Sequence, residues 1–207
     1  MNLYGHAVVA GWVAGEPRFV LGAMLPDLGK LAGHRRLIAQ DPDAAAGVQW
    51  HHRTDDAFHG SVAFTRLCRD AHDELEADGL PRGPAMAVAH VALELLLDGV
   101  LLADADGQAA YLGALRTDAR ALRLADDAAS VDVGEVMQRM HRFGLPVHYR
   151  EPERVAQRVV SIVASRPRLA VPPSRVEAVS AWALRVRGTV ELAAPGLVRE
   201  MRTALLG

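Results

Sequence analysis

The chain has 207 residues, half of them apolar, which suits one domain with a sizeable core. A net charge of -2, a single cysteine and few aromatics exclude a disulfide framework, a multi-cysteine zinc site and a basic, aromatic-interleaved nucleic-acid groove. The charge is uneven: residues 1–149 carry a balance of -7 and residues 150–207 one of +5, so the C-terminal part reads as a solvated arginine-rich surface or as a face for an acidic partner.

The periodicity is helical nearly throughout, and strand-like alternation is scarce. A first helix is expected at about 3–14, ended by Glu16-Pro17. An apolar segment runs from Phe19 to Leu25, and Pro26 predicts a turn at Pro26-Asp27. Residues 28–43, with Gly29, Gly33 and Pro42, read as a loop. A long helix follows from about Ala44 to Asp78, bent near Gly60 and stopped at Gly79-Leu80-Pro81. The next helix, about 84–103, is apolar on nearly all sides and therefore buried. Further helices are expected at about 107–124, 132–143, 152–165 and 174–206, the last interrupted by Gly188 and Pro195. An all-α fold of about seven to nine helices follows. It is expected as one domain over 1–207, with a metal-site core over 1–103. The Pro-rich step at Pro167–Pro173 marks the boundary before a C-terminal helical extension over 168–207. No leader peptide is recognisable, and no run of about 18 apolar residues lacks a polar break. The expectation is a cytoplasmic protein with no membrane span.

The buried helix carries His90, Glu94 and Asp98 at i, i+4 and i+8. Steps of four turn a helix by about 400°, so the three form one slowly drifting stripe with steps of about 6 Å along the axis. An ionised carboxylate in such surroundings costs several kcal/mol unless compensated. A cation or buried arginines would compensate; otherwise the stripe is the one wet face of the helix. The long helix repeats the stripe with His51, Asp55 and His59. Two matching stripes can face each other around a metal. Imidazole with carboxylate suits Zn²⁺, Mn²⁺ or Fe²⁺, whereas Ca²⁺ takes oxygen ligands. His52 and Asp56 form a second stripe offset by about 100°.

His6 lies among Ala, Val and Gly of the first helix and reads equally as a core histidine or a ligand. Asp27, after Pro26, reads as a helix cap or as a ligand at the end of the core. Cys68 reads as a packed thiol rather than a nucleophile. The doublet His72-Asp73 sits in charged surroundings and reads as solvated surface. Gly-rich phosphate loops and a Gly-x-Ser-x-Gly elbow are missing from the sequence.

Taken in order, Asn2-x3-His6, Gly22-x-x-Leu25-x-Asp27, His51-x3-Asp55-x-x-Phe58 with Phe64 beyond it, and Glu94-x3-Asp98 resemble the acyl carrier protein phosphodiesterase family over about residues 1–103. The resemblance implies an HD-domain-like helical bundle and a metal-dependent activity favouring Mn²⁺. That activity releases the 4′-phosphopantetheine arm of holo acyl carrier protein by cutting a phosphodiester. It also implies that His6, Asp27, His51, Asp55, Glu94 and Asp98 form the metal and catalytic cluster. His59 stands where the family usually has an Asp, His90 adds an imidazole, and Glu94 replaces a shorter acid, so this site is richer in nitrogen. The Leu-Gly-Ala-Met-Leu-Pro-Asp segment with the later Ala-His-x3-Glu-x3-Asp also resembles the zinc-dependent phospholipase C type.

The expected function is a phosphodiester hydrolase with one or two divalent ions (Mn, Fe or Zn). By position, Arg53 or Lys30 would neutralise phosphate charge, and His52 or His59 would protonate the leaving group. The alternative from another class is a non-enzymatic helical protein whose buried His/carboxylate network fixes helix register. A di-metal carboxylate oxidase is disfavoured, since it usually shows Glu-x-x-His pairs.

Overall fold

The computed structural model describes residues 1–33, 37–122, 124–126 and 132–207. Among these the protein is all-α, with nine α-helices and one short antiparallel ladder. The chain divides into two compact units. The first comprises Met1–Asp56 and Leu101–Pro146, the second Ala57–Val100 and Val147–Gly207.

In the first unit, α1 (Leu3–Gly11) is buried over nearly its whole length. It packs on α2 (Pro17–Ala32) and α6 (Ala105–Leu115), and α2 also meets α6 and α7 (Val133–Phe143). Pro17 opens α2 at a position whose N–H needs no helical partner. The expected turn at Pro26-Asp27 does not occur. Pro26 lies inside α2, and the helix runs on to Ala32, ended by Gly33 at φ 86°. An interior proline costs a helix about 3 kcal/mol. Burial of Val20 to Leu25, Leu28, Gly29 and Ala32 offsets that.

The expected loop at 28–43 is correspondingly shorter, and its residues 34–36 lie outside the described residues. Strand β1 (Leu37–Ala39) pairs antiparallel with β2 (Leu124–Asp126), Ile38 opposite Ala125. The helix expected over 107–124 therefore stops at Leu115; a 3₁₀ turn at Ala119–Leu122 and β2 follow. Helix α3 (Pro42–His59) starts behind Asp41, which accepts from the Ala44 amide at 3.1 Å and from Arg18 at 3.0 Å. It crosses α2 at backbone contact. A Cβ on Gly47 would lie 2.1 Å from the Phe19 carbonyl oxygen, and one on Gly22 would lie 2.2 Å from that of Ala44.

The single helix expected over 44–78 is two helices, and the break between them falls in the second unit. Ser61 breaks it: its hydroxyl donates to the Phe58 carbonyl at 2.7 Å and accepts from the Phe64 amide at 3.2 Å, capping α4 (Val62–Ala77). Helix α5 (Arg82–Leu101) is long and apolar enough to cross a membrane by length and composition, yet most of it is buried within the protein. Its Leu93 and Leu97 share an apolar seam with Phe64 and Leu67 of α4 and with Val190, Ala194 and Leu197 of α9 (Val176–Leu206). Helix α9 also packs on α8 (Pro152–Ala164). It runs unbroken through Gly188 and Pro195, contrary to expectation, because Trp182, Val186, Val190, Ala194, Leu197 and Met201 keep one face buried throughout. The Trp182 indole donates to Glu74 at 3.0 Å, tying α9 to α4. The step at Pro167–Pro173 lies inside this unit.

The α2/α3 crossing yields a stability prediction. Gly47→Ala should destabilise the protein by about 1–3 kcal/mol or more, since neither backbone can give way freely. Gly113→Ala, where a new Cβ meets nothing within 4 Å, should be neutral or slightly stabilising. Chemical denaturation midpoints of the two variants check this; equal midpoints would refute the close crossing.

Candidate metal centre

The first unit brings four of the expected ligands together. His6 comes from α1, Asp27 from the last turns of α2, and His51 and Asp55 from successive turns of α3. His6 is 0 % and His51 2 % exposed. Their rings stack with centroids 3.8 Å apart. His6 Nε2 lies 3.2 Å from Asp55 Oδ1 and 4.0 Å from Asp27 Oδ2, and His51 Nε2 lies 3.4 Å from Asp55 Oδ2. Donor atoms of His6, Asp27 and His51 all lie within 4.8 Å of one another.

The tautomer of His51 follows from its neighbour. Its Nδ1 is 2.9 Å from the carbonyl oxygen of Ala23, which can only accept. Nδ1 therefore carries the hydrogen, and Nε2 turns a lone pair toward Asp55. A backbone carbonyl holding the far nitrogen is how metal-binding imidazoles are commonly oriented. The α2/α3 crossing supplies that carbonyl, because Ala23 adjoins Gly22.

Around this imidazole the acceptors are in excess. Asp27 Oδ1 accepts from Lys30 Nζ at 2.9 Å, while its buried Oδ2 has no hydrogen-bond partner among the described residues. His6 Nδ1 and Nε2 are also buried without a hydrogen bond, the short approach to Asp55 lacking the needed alignment. The Met1 ammonium donates to Asp55 at 2.9 Å. Burial alone would raise the Asp55 carboxyl, but His6 and that ammonium outweigh it and hold the group far below the usual carboxylate range. Donor atoms sharing an ion at about 2.1 Å stand no more than about 4.2 Å apart. The cluster fits a divalent cation after a small inward shift.

The second unit gathers three others. His90 and Glu94 stand one turn apart on α5, and His59 ends α3. His90 Nε2 lies 3.1 Å and His59 Nε2 3.8 Å from the same oxygen, Glu94 Oε1. The two imidazoles stack with centroids 5.0 Å apart and planes within 15°. Burial would raise the Glu94 carboxyl, but the His90 imidazole is the largest of the influences that hold it below its usual value.

The two expected triplets are thus regrouped. His51 and Asp55 join His6 and Asp27, whereas His59 joins His90 and Glu94. The geometry of a helix explains the division. Residues eight apart are separated by about 12 Å along the axis and about 80° around it, too far to share one ion. Asp98 is fully buried on α5 but belongs to neither group among the described residues. His52 is exposed. Arg53, also exposed, lies over the Trp50 ring at 4.8 Å. His72 sits with Asp73 and Glu76, both exposed, as a surface charge cluster. The anchor that the sequence does not display is the Ala23 carbonyl, since a backbone group bears no residue signature. The chain matches no protein-family model, no curated protein and no solved structure.

Two predictions follow from these environments. Burial first, and the charge of the stacked His6 second, lower the His51 imidazole from 6.5 to about 4. Between those values the unfolded chain binds a proton that the folded, metal-free chain does not. Its stability is therefore whole above about pH 6.5 and declines as pH falls toward 4, by up to about 3 kcal/mol. His51→Gln should flatten that decline in a pH series of denaturant titrations; a wild-type slope would assign it to another group. For Cys68, burial and then the Glu94 carboxylate push the thiol up to about 12. At pH 8 its thiolate fraction is about 10⁻⁴, so iodoacetamide should label the native chain far more slowly than the denatured one.

Proposed function

We propose that this chain is a metal-dependent phosphodiester hydrolase whose ion is held by His6, Asp27, His51 and Asp55. One observation carries the reading: a buried imidazole, fixed at Nδ1 by the Ala23 carbonyl, turns its Nε2 toward the half-buried carboxylate of Asp55 at 3.4 Å, with the buried Oδ2 of Asp27 in the same cluster. Facing lone pairs repel, and only a proton or a cation between them relieves that. Because His51 holds its second proton weakly, a cation is the favoured bridge. Two imidazoles and two carboxylates make a donor set for Mn²⁺, Fe²⁺ or Zn²⁺.

A divalent ion in such a site supplies Lewis acidity, which acidifies water and draws charge from a phosphoryl oxygen. The chain's own residues do the rest. His6 and His51, stacked and buried, exclude solvent from one side and hold their nitrogens in place. Asp27 is steadied by Lys30, whose ammonium, on a largely exposed side chain, remains near enough to meet a phosphate. Arg53 and His52 stand exposed on α3, the first as a second cation for phosphate and the second as a proton donor to the leaving oxygen. The resemblance to acyl carrier protein phosphodiesterases makes the phosphopantetheine arm the preferred substrate, and the arginine-rich residues 150–207 suit an acidic carrier. A phospholipase C-like preference would use the same chemistry on a lipid phosphodiester.

The non-enzymatic reading, a polar network that fixes helix register, is favoured by one feature: the Met1 ammonium already pairs with Asp55. The two readings part on metal content and activity. The purified protein should contain stoichiometric metal and cleave an aryl phosphodiester. Chelation should abolish that cleavage, and Asp27→Asn should lower it at least about 100-fold while circular dichroism stays unchanged. Turnover indifferent to chelator would remove the mechanism, and a metal-free, inactive protein would leave the register network.

A further inference from the structure

We propose that His59, His90 and Glu94 hold a second divalent ion, of zinc type, at an open three-ligand site. This inference is argued from His59, His90 and Glu94, and its test separates it from the ion assigned to His6 and its neighbours.

Three observations point the same way. First, both imidazoles aim Nε2 at one carboxylate oxygen, at 3.1 and 3.8 Å. In a tetrahedral site with bonds of about 2.0–2.1 Å, neighbouring ligand atoms stand about 3.3 Å apart. The two distances to Glu94 bracket that value, all three donor atoms lie within 4.8 Å of one another, and a turn of the stacked rings would close them on one ion. Second, the ligands are held from several directions. His90 and Glu94 are clamped at i, i+4 on α5. His59 is set by the end of α3 just before the Ser61 cap. Phe64 of α4 stands edge-on to both imidazoles, 5.4 and 5.6 Å away, and keeps the rings nearly parallel. Third, exposure is graded. The Glu94 side chain is 14 % exposed, those of His59 and His90 38 % and 47 %. The acid is inside and the imidazoles face solvent, which gives an ion an entry path and leaves a coordination position for an outside ligand.

A surface hydrogen bond within the His90–Glu94 pair accounts for one imidazole. His59 ends a different helix and brings its Nε2 to 3.8 Å from the same oxygen. Two imidazoles with one carboxylate form the donor set of open zinc sites, and oxygen-preferring Ca²⁺ and Mg²⁺ are disfavoured by it. Because the imidazoles are exposed, this ion should exchange with a mild chelator faster than one held by the buried group.

Zn²⁺ itself is the probe, titrated into the metal-free full-length chain against a chromophoric competitor. The wild type should take up two equivalents. His59→Ala and His90→Ala change exposed side chains and should leave a folded chain; each should lose one equivalent or weaken it at least about 10-fold. Asp27→Asn should lose the other equivalent and keep this one. If the buried group holds no metal, the wild type takes up one equivalent, which His90→Ala removes and Asp27→Asn leaves. Zinc uptake unchanged in both histidine variants, or absent from the wild type, overturns the proposal.

Discussion

Helices α2 and α3 touch backbone to backbone where Gly22 meets the Ala44 carbonyl and Gly47 meets that of Phe19. Side chains at either position would hold the helices apart. The contact puts His51 beside the Ala23 carbonyl, and that carbonyl chooses the imidazole's tautomer. The tautomer then decides which nitrogen faces Asp55. A site with a directed lone pair thus descends from two missing Cβ atoms. Helix α2 adds to this by continuing past Pro26, which carries Asp27 on a helix rather than a turn.

The chemistry of the first unit's cluster is that of a surplus of acceptors. Among the described residues, both ring nitrogens of His6 and Oδ2 of Asp27 are buried without a hydrogen bond. Lys30 and the Met1 ammonium each relieve one carboxylate oxygen. Buried groups of this kind cost several kcal/mol unless something completes them. The group in the second unit is different in character. Its imidazoles are partly wet, its acid is shielded, and an aromatic ring keeps the stack in order.

The fold class was legible because apolar residues recur with helical spacing almost everywhere. The burial of α5 was legible for the same reason: apolar residues surround it. Boundaries were less so. Pro26 and Pro195 are strong local breakers, yet both lie inside helices whose buried faces outweigh the local cost. Conversely, Gly60 announced only a bend, while Ser61 makes a full break, because its hydroxyl satisfies both helix ends at once. The short β1–β2 ladder left no trace, since three residues per strand are too few to show alternation.

The sequence by itself determined that the chain is helical and that imidazoles and carboxylates recur at i, i+4. Spacing along one helix is a local property, set by a fixed rise and turn. It also singled out His6, Asp27, His51, Asp55, His59, His90 and Glu94 as residue types able to bind a cation. Only the tertiary structure decided their partners. It split both eight-residue stripes, gave His51 and Asp55 to His6 and Asp27, and gave His59 to His90 and Glu94. Grouping depends on where other helices cross, and crossings are set by small residues, caps and backbone carbonyls. Those groups act at a distance in sequence that no local spacing encodes.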